Sequence, residues 1–420
     1  MNGIINYIKV WIAVCVIIGC SKQETMNVNK SAAEILGNPD YQAMCFGGFR
    51  ELTRDSVPSV ADLKEDLDIL SAMGVKILRT YNTTGDEQVA NLLQAIREKK
   101  NEDADFEMYV MLGAWVACDI VDDTAVHNQG NLKWIKSEID EAIRLTNEYP
   151  DIVKIIAVGN EAMVHWQGYH VAPNVILRWV NLLQELKKEG KLPKDLWITS
   201  SDNFASWGGG DPIYHKRNLE KLIKAVDFIA MHTYPFHDTH YNPHFWLQPE
   251  TDTLSDVEKS KIAMQRSVDY AMSQYELVRN YVTNIGFPDK PIHITETGWS
   301  SKTNDWYGPK GSKAADEYKQ KLYYEGILKR CEEQNITCFY FEIFDESWKD
   351  DRNPMGSENH FGLITLKGKA KYALWDLVDQ GAFDGITRNG YPVTKSFNGD
   401  KEALMKTVLP PQTLEIIESE

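Results

Sequence analysis

Short apolar runs recur along the chain, each followed by a longer stretch whose apolar residues fall three and four apart. The runs are 44–49, 75–81, 107–115, 152–161, 196–201, 226–234, 291–299 and 336–344. Several are nearly continuous in apolar residues, the pattern of parallel strands covered on both faces. Between them, 60–73 reads VADLKEDLDILSAM and lines up Leu63, Leu67 and Leu70 on one helical face. Helical patterns also span 87–99, 132–148, 174–189, 254–284 and 313–334, with Gly74, Pro288 and Pro291 marking joins. Eight β-then-α units predict fold class α/β, a single (β/α)8 TIM barrel running from about residue 40 to 385. A doubly wound open sheet is the alternative, but no Gly-rich phosphate fingerprint follows the first strand. Residues 383–420 read as a tail packed on the barrel, so 40–420 forms one domain. The chain of 420 residues is long for one domain at about 150 residues each, yet no linker or repeat divides it.

The beginning of the chain is patterned differently. Lys9 is the one charge in residues 1–19, and 10–19 (VWIAVCVIIG) is apolar. Ten residues are too few to cross roughly 30 Å of hydrocarbon as a helix and match the apolar region of a signal peptide. Ile17-Ile18-Gly19-Cys20 resembles a bacterial lipobox. It makes 1–19 a lipoprotein-type signal peptide, Cys20 the lipidation site and 20–39 a polar, flexible tether. A plain secretory signal is the alternative. No later apolar stretch is long enough to span a membrane, so the expectation is an exported protein held to a bacterial membrane by an N-terminal lipid alone. That membrane would be the outer membrane or cell surface, with the periplasm also open.

Composition narrows the classes further. Hydrophobic residues make up 43% and charged residues 25%, ordinary for a globular protein. The net charge of −16 without a basic patch argues against nucleic-acid binding, and the acidic surface favours a monomer. Of the remaining cysteines, Cys45, Cys118, Cys331 and Cys338, none forms a CxxC motif, which argues against a structural zinc site. Cys45 and Cys338 lie in apolar runs and read as buried thiols.

Barrel chemistry gathers at the C-terminal ends of strands. The fourth run ends in Asn160-Glu161 and the seventh delivers Glu296 in the sequence HITETGW. Strands four and seven face each other across the mouth. Two carboxylates converging on one cleft are what glycoside hydrolysis requires, one as a general acid and one as a nucleophile. That reaction needs no cofactor, and the sequence signals none.

The pair resembles the retaining glycosidases whose catalytic Glu residues end strands four and seven. The resemblance implies Glu161 as acid/base, Glu296 as nucleophile and Asn160 as a partner of the sugar 2-hydroxyl. Longer stretches are similar to glycoside hydrolase family 17, the β-1,3-glucanases: ILRTYN at 77–82, VGNE at 158–161, TYPF at 233–236, ETGWS at 296–300, YFEIFDESWK at 340–349 and ENHFGL at 358–363. They run from strand two to beyond strand eight. The resemblance implies a retaining, endo-acting hydrolase of laminarin-type β-1,3-glucan, with Glu346, Lys349 and Glu358 supporting the nucleophile or the substrate. Ser300, where the family often has Pro, and a long loop after the sixth strand depart from the pattern.

Aromatic residues at or past strand ends, namely Tyr81, Trp115, Tyr234, Phe236, Trp299 and Trp348, suit the apolar face of a pyranose. Tyr81, Tyr234 and Trp299 are the ones expected to touch substrate. The loop HTYPFHDTHYNPH at 232–244 carries four His at metal-like spacing. Two interrupting Pro and its place on a cleft wall favour no metal, with His232 as a hydrogen-bond donor behind the site. Three alternatives stand: a β-1,3-glucanosyltransferase on the same two Glu, a catalytically silent glucan-binding lipoprotein, and a metal-dependent hydrolase using the His loop.

Overall fold

In the computed structural model, residues 29–85, 87–249 and 253–413 are described. The expected signal peptide, 1–19, and the expected lipidation site Cys20 lie outside them. The apolar runs form eight parallel strands: β1 (Gln42–Cys45), β2 (Val75–Arg79), β3 (Tyr109–Ala114), β4 (Val153–Asn160), β5 (Trp197–Asn203), β6 (Ile229–His232), β7 (Ile292–Gly298) and β8 (Cys338–Phe341). They close into one barrel, sealed where Ala43 pairs with Phe339 and Met44 with Tyr340. Sequential strands are neighbours throughout, as expected of a (β/α)8 barrel. Ile155, Ile156 and Val158 of β4 have no exposed surface, since barrel packing covers one face and helices the other.

The long helices between strands are α1 (Val60–Ala72), α2 (Gln88–Glu102), α3 (Leu132–Glu148), α4 (Pro173–Lys188), α5 (Arg217–Ala225), α6 (Asp256–Asn284) and α7 (Glu317–Glu332); a short helix, Pro235–Tyr241, follows β6, and short α8 (Trp375–Asp379) comes after β8. Local chemistry sets their starts. Ser59 and Asp62 form a capping box on α1, and Ser255 and Glu258 do so on α6. Leu63, Leu67 and Leu70 are fully buried, as the pattern in α1 predicts.

The structure corrects the sequence reading in several places. The expected tether does not extend to residue 39: Ala32–Ile35 is a helix capped by Ser31, and Ala32 and Ile35 are buried in the core. Two apolar side chains one turn apart give this segment a face to bury. Strand β1 lies at 42–45, before most of the expected 44–49. A hairpin of Cys118–Val121 and Thr124–Gly130 follows β3, and α5 was not foreseen. The tail does pack on the barrel. Buried Arg388 pairs with Asp66 of α1 at 2.9 Å, and the Leu409 carbonyl accepts from Lys319 of α7 at 2.8 Å. Among the described residues no helix is long and apolar enough to cross a membrane, and Cys45, Cys118, Cys331 and Cys338 are buried free thiols.

Candidate active site

The loops at the C-terminal ends of the strands surround a cleft of about 1140 Å³. Its walls come chiefly from the segments after β1, β2, β3 and β8. Asn160, Glu296, Tyr81, Glu346, Lys349 and Glu358 all line it. Among the rings that line it with Tyr81 are Trp115, Trp134, Tyr169 and Trp348. Trp348 Nε1 is buried without a hydrogen-bond partner among the described residues.

Glu296 stands near the end of β7 and is 8% exposed. The Tyr234 hydroxyl donates to its Oε1 at 2.7 Å, and Arg79 Nη1 donates to its Oε2. Burial alone would push this carboxyl up. The charges of His232 and Arg79 and the bond from Tyr234 outweigh burial and hold it down to about 2. Arg79 is itself buried in β2, and its Nη2 donates to Asn160 Oδ1 at 2.5 Å. One guanidinium thus fixes residues from β4 and β7. With Oδ1 occupied, the Asn160 amide nitrogen is left to donate toward a sugar hydroxyl.

Glu161 follows β4 with a positive φ of 45°, a conformation uncommon outside glycine and concentrated at functional sites. Its N–H donates to the Ser201 carbonyl at 3.0 Å. Gly159 before it also has positive φ, and a Cβ there would press on Ala162 and Ile176, so the turn depends on glycine. The Glu161 side chain keeps about a fifth of its surface exposed, at 19%, and its Oε1 lies 3.2 Å from His232 Nδ1. His232 Nε2 is 2.7 Å from Ser201 Oγ, which reaches Thr295 Oγ1 at 2.8 Å. Gln167 Nε2 donates to Oε2 at 3.5 Å.

Asp202, buried at the end of β5, braces the turn that carries Glu161. Its Oδ2 accepts the Met163 N–H at 2.7 Å, and its Oδ1 accepts Ser206 Oγ at 2.7 Å. Burial first, and then the charge of Glu161, push its carboxyl up to about 7 against the Ser206 bond.

A third group sits beyond β8. Lys349 Nζ lies 3.0 Å from Glu342 and 3.1 Å from Glu346. Burial, then the neighbouring Glu346 charge, drives the Glu342 carboxyl well above its usual range, against the pull of Lys349. A Cβ on Gly47 would overlap the Glu346 carboxylate, so a bare backbone is required there. Glu358 is the outermost of the set, at 3.8 Å from His237 Nε2.

Trp299 departs from expectation. It has no exposed surface, its Nε1 donates to the Ala314 carbonyl at 2.8 Å, and it packs on Trp246 and Tyr323. It is a core residue and presents no face to a sugar. Phe236 is likewise fully buried. Tyr234 spends its hydroxyl on Glu296. Arg79, Asp202, Gln167, Trp134 and Tyr169 carry parts of the site that the sequence reading did not assign. The four His of the 232–244 loop do not converge, and among the described residues no group of three or more His, Cys, Asp or Glu could hold a metal.

Against known proteins, residues 43–362 match the BtgE/BtgC glycoside hydrolase domain. The chain belongs to this family, within the family 17 β-1,3-glucanases. It is therefore a glycosidase. A solved endo-laminarinase from Formosa Hel1_33_131 superposes with a TM-score of 0.89 at 56% identity, over 91% of this chain and 98% of that one. A glucan 1,3-beta-glucosidase of Arthroderma benhamiae is 23% identical over 74% of this chain and 83% of its own length. A family 17 β-1,3-glucanosyltransferase from Rhizomucor miehei, at 19% identity over 80% of this chain and 96% of its own, has a TM-score of 0.55 and shares the fold. The surroundings of the two strand-end glutamates differ: Glu296 is buried against Arg79 and Tyr234, and Glu161 is partly exposed beside His232.

Proposed function

We propose that the chain is a retaining, endo-acting β-1,3-glucan hydrolase with Glu296 as nucleophile and Glu161 as acid/base. The carrying observation is the contrast between the two carboxyls. Glu296 is buried yet kept ionised by Arg79, His232 and Tyr234. Glu161 has no Lys or Arg within ion-pair distance among the described residues, and its side chain is 19% exposed.

In the first half-reaction, Glu296 forms a bond to the anomeric carbon as the glycosidic C–O bond breaks, and Glu161 gives its proton to the leaving oxygen. In the second, Glu161 takes a proton from water, and that oxygen displaces Glu296. Asn160 strengthens its bond to the 2-hydroxyl as the ring becomes oxocarbenium-like. The volume of the cleft and the rings on its walls favour attack within a chain. Anchoring through a lipid on Cys20, export to the outer membrane or cell surface, and a monomeric state belong to the same proposal. They rest on the 17–20 sequence and the acidic surface.

The test is NMR of laminarihexaose digestion together with product masses in 18O water. Initial β-anomers carrying one solvent oxygen, released as internal fragments, are expected. Initial α-anomers refute retention. Unlabelled products longer than the substrate would make the chain a transferase. Binding without turnover would make it a silent binder.

A further inference from the structure

Outside the cleft, the short helix Pro235–Tyr241 after β6 and the loop after β7 bring two large aromatic side chains together on the same rim of the barrel. Trp306 is 56% and Tyr241 60% exposed. Their ring centres lie 6.0 Å apart with planes at 76°, so one forms a floor and the other a wall. His240 supports Trp306 with ring centres 4.5 Å apart. The reaction described above uses none of the three.

The ledge is fixed, and it is joined to the cleft. The Trp306 carbonyl accepts the Ser312 N–H at 2.8 Å. Its neighbour Asp305 accepts the Tyr307 N–H and the Ser357 N–H, each at 3.0 Å. Ser357 precedes Glu358, which lines the cleft. By a second route, the Tyr307 hydroxyl lies 3.1 Å from His237 Nδ1, and His237 Nε2 faces Glu358. An exposed indole held rigid beside a sugar cleft is suited to an uncharged ligand with a flat apolar face, because stacking needs no counter-charge.

We propose that Trp306 and Tyr241 form a second glucan-binding site, holding glucose units of a long β-1,3-glucan beyond the Glu358 end of the cleft. This rests on the glucan reading above. It also accounts for three histidines of the 232–244 segment: His232, at the end of β6, serves Glu161, His237 braces Glu358 and Tyr307, and His240 backs Trp306.

The test compares Trp306→Ala, Tyr241→Ala and Trp306→Phe with the wild type. One readout is kcat/KM on long laminarin divided by kcat/KM on laminaritetraose. The other is retention on insoluble curdlan in a Glu296→Gln background. Melting temperatures report folding of these surface variants. The site predicts at least a fivefold fall in the ratio and weaker curdlan retention for Trp306→Ala, with Trp306→Phe recovering most of both. A ratio and a retention within twofold of wild type in both Ala variants overturn it. A folded wild type that cleaves neither substrate overturns the hydrolase reading instead. Curdlan retention in the Glu296→Gln background then decides the ledge alone.

Discussion

The Tyr234 hydroxyl donates to Glu296 Oε1 across 2.7 Å, while Arg79 holds the other oxygen of the same carboxylate. Together with the charge of His232, these two partners outweigh burial and hold this group down to about 2. The wild-type kcat/KM profile should therefore show no Glu296 inflection between pH 4 and 5, where an ordinary carboxyl titrates. Removing Arg79 takes away one of the three groups that oppose burial, so the carboxyl should rise. Arg79→Ala should bring an inflection into that window and lower turnover about 10²- to 10³-fold. Tyr234→Phe should move the limb the same way by less. The check is a pH–rate profile on laminaritetraose for the three proteins.

Glu161→Ala should lower turnover about 10²- to 10⁴-fold on unactivated glucan. Substrates with a good leaving group, such as a dinitrophenyl laminaribioside, need no proton donor and should be spared at the first step. Added azide should then raise turnover and yield a β-glycosyl azide. An α-azide, or an equal loss on both substrate types, would count against the acid/base role.

Asp202 has a folded value of about 7 against an unfolded value near 3.8. Between those values the folded chain holds a proton that the unfolded chain has lost. This contribution to stability is fully present below about pH 3.8 and is lost as pH rises toward 7, with a slope of up to about 1.4 kcal/mol per pH unit. Asp202→Asn removes the titration, so its urea-unfolding stability should depend less steeply on pH from 4 to 7. The same substitution places an NH₂ group among the three donors that now face the carboxylate, Met163 N–H, Asn203 N–H and Ser206 Oγ. It should therefore also lower turnover by loosening the Glu161 turn.

Trp299→Ala should cost about 3–5 kcal/mol of stability, the usual cost of emptying a large core site. Because Trp299 lies outside the cleft, the folded fraction should keep the wild-type KM for laminari-oligosaccharides. Chemical denaturation and steady-state kinetics below the melting range measure the two effects separately.

The barrel was legible because its strands are buried on both faces, which leaves continuous apolar runs. The 118–130 hairpin was not, since most of its second strand, TAVHNQG, is exposed or half-buried and carries no alternation. The two glutamates were legible as carboxylates ending apolar strands. Trp299 was misplaced although strand parity points the right way. Side chains alternate along a strand, so if Glu296 enters the mouth, Thr297 and Trp299 turn to the helices. Thr297 Oγ1 indeed meets the Tyr323 hydroxyl of α7 at 2.7 Å. Arg79 had a usable signal, a charged residue at the C-terminal end of a barrel strand. Gln167 had none, because loop geometry alone brings it to the site, and Trp134 gave none because its place on the cleft depends on how the first turn of α3 is set against the barrel.

The central claim is that Glu296 becomes covalently bonded to the sugar. Incubation with 2-deoxy-2-fluoro-β-laminaribiosyl fluoride slows the second half-reaction, and intact-mass and peptide analysis then locate the adduct. A single fluorolaminaribiosyl addition on the peptide containing Glu296, absent from Glu296→Gln, is the predicted result. Addition to another residue, or glucan cleavage with no adduct and α-configured products, would contradict the account.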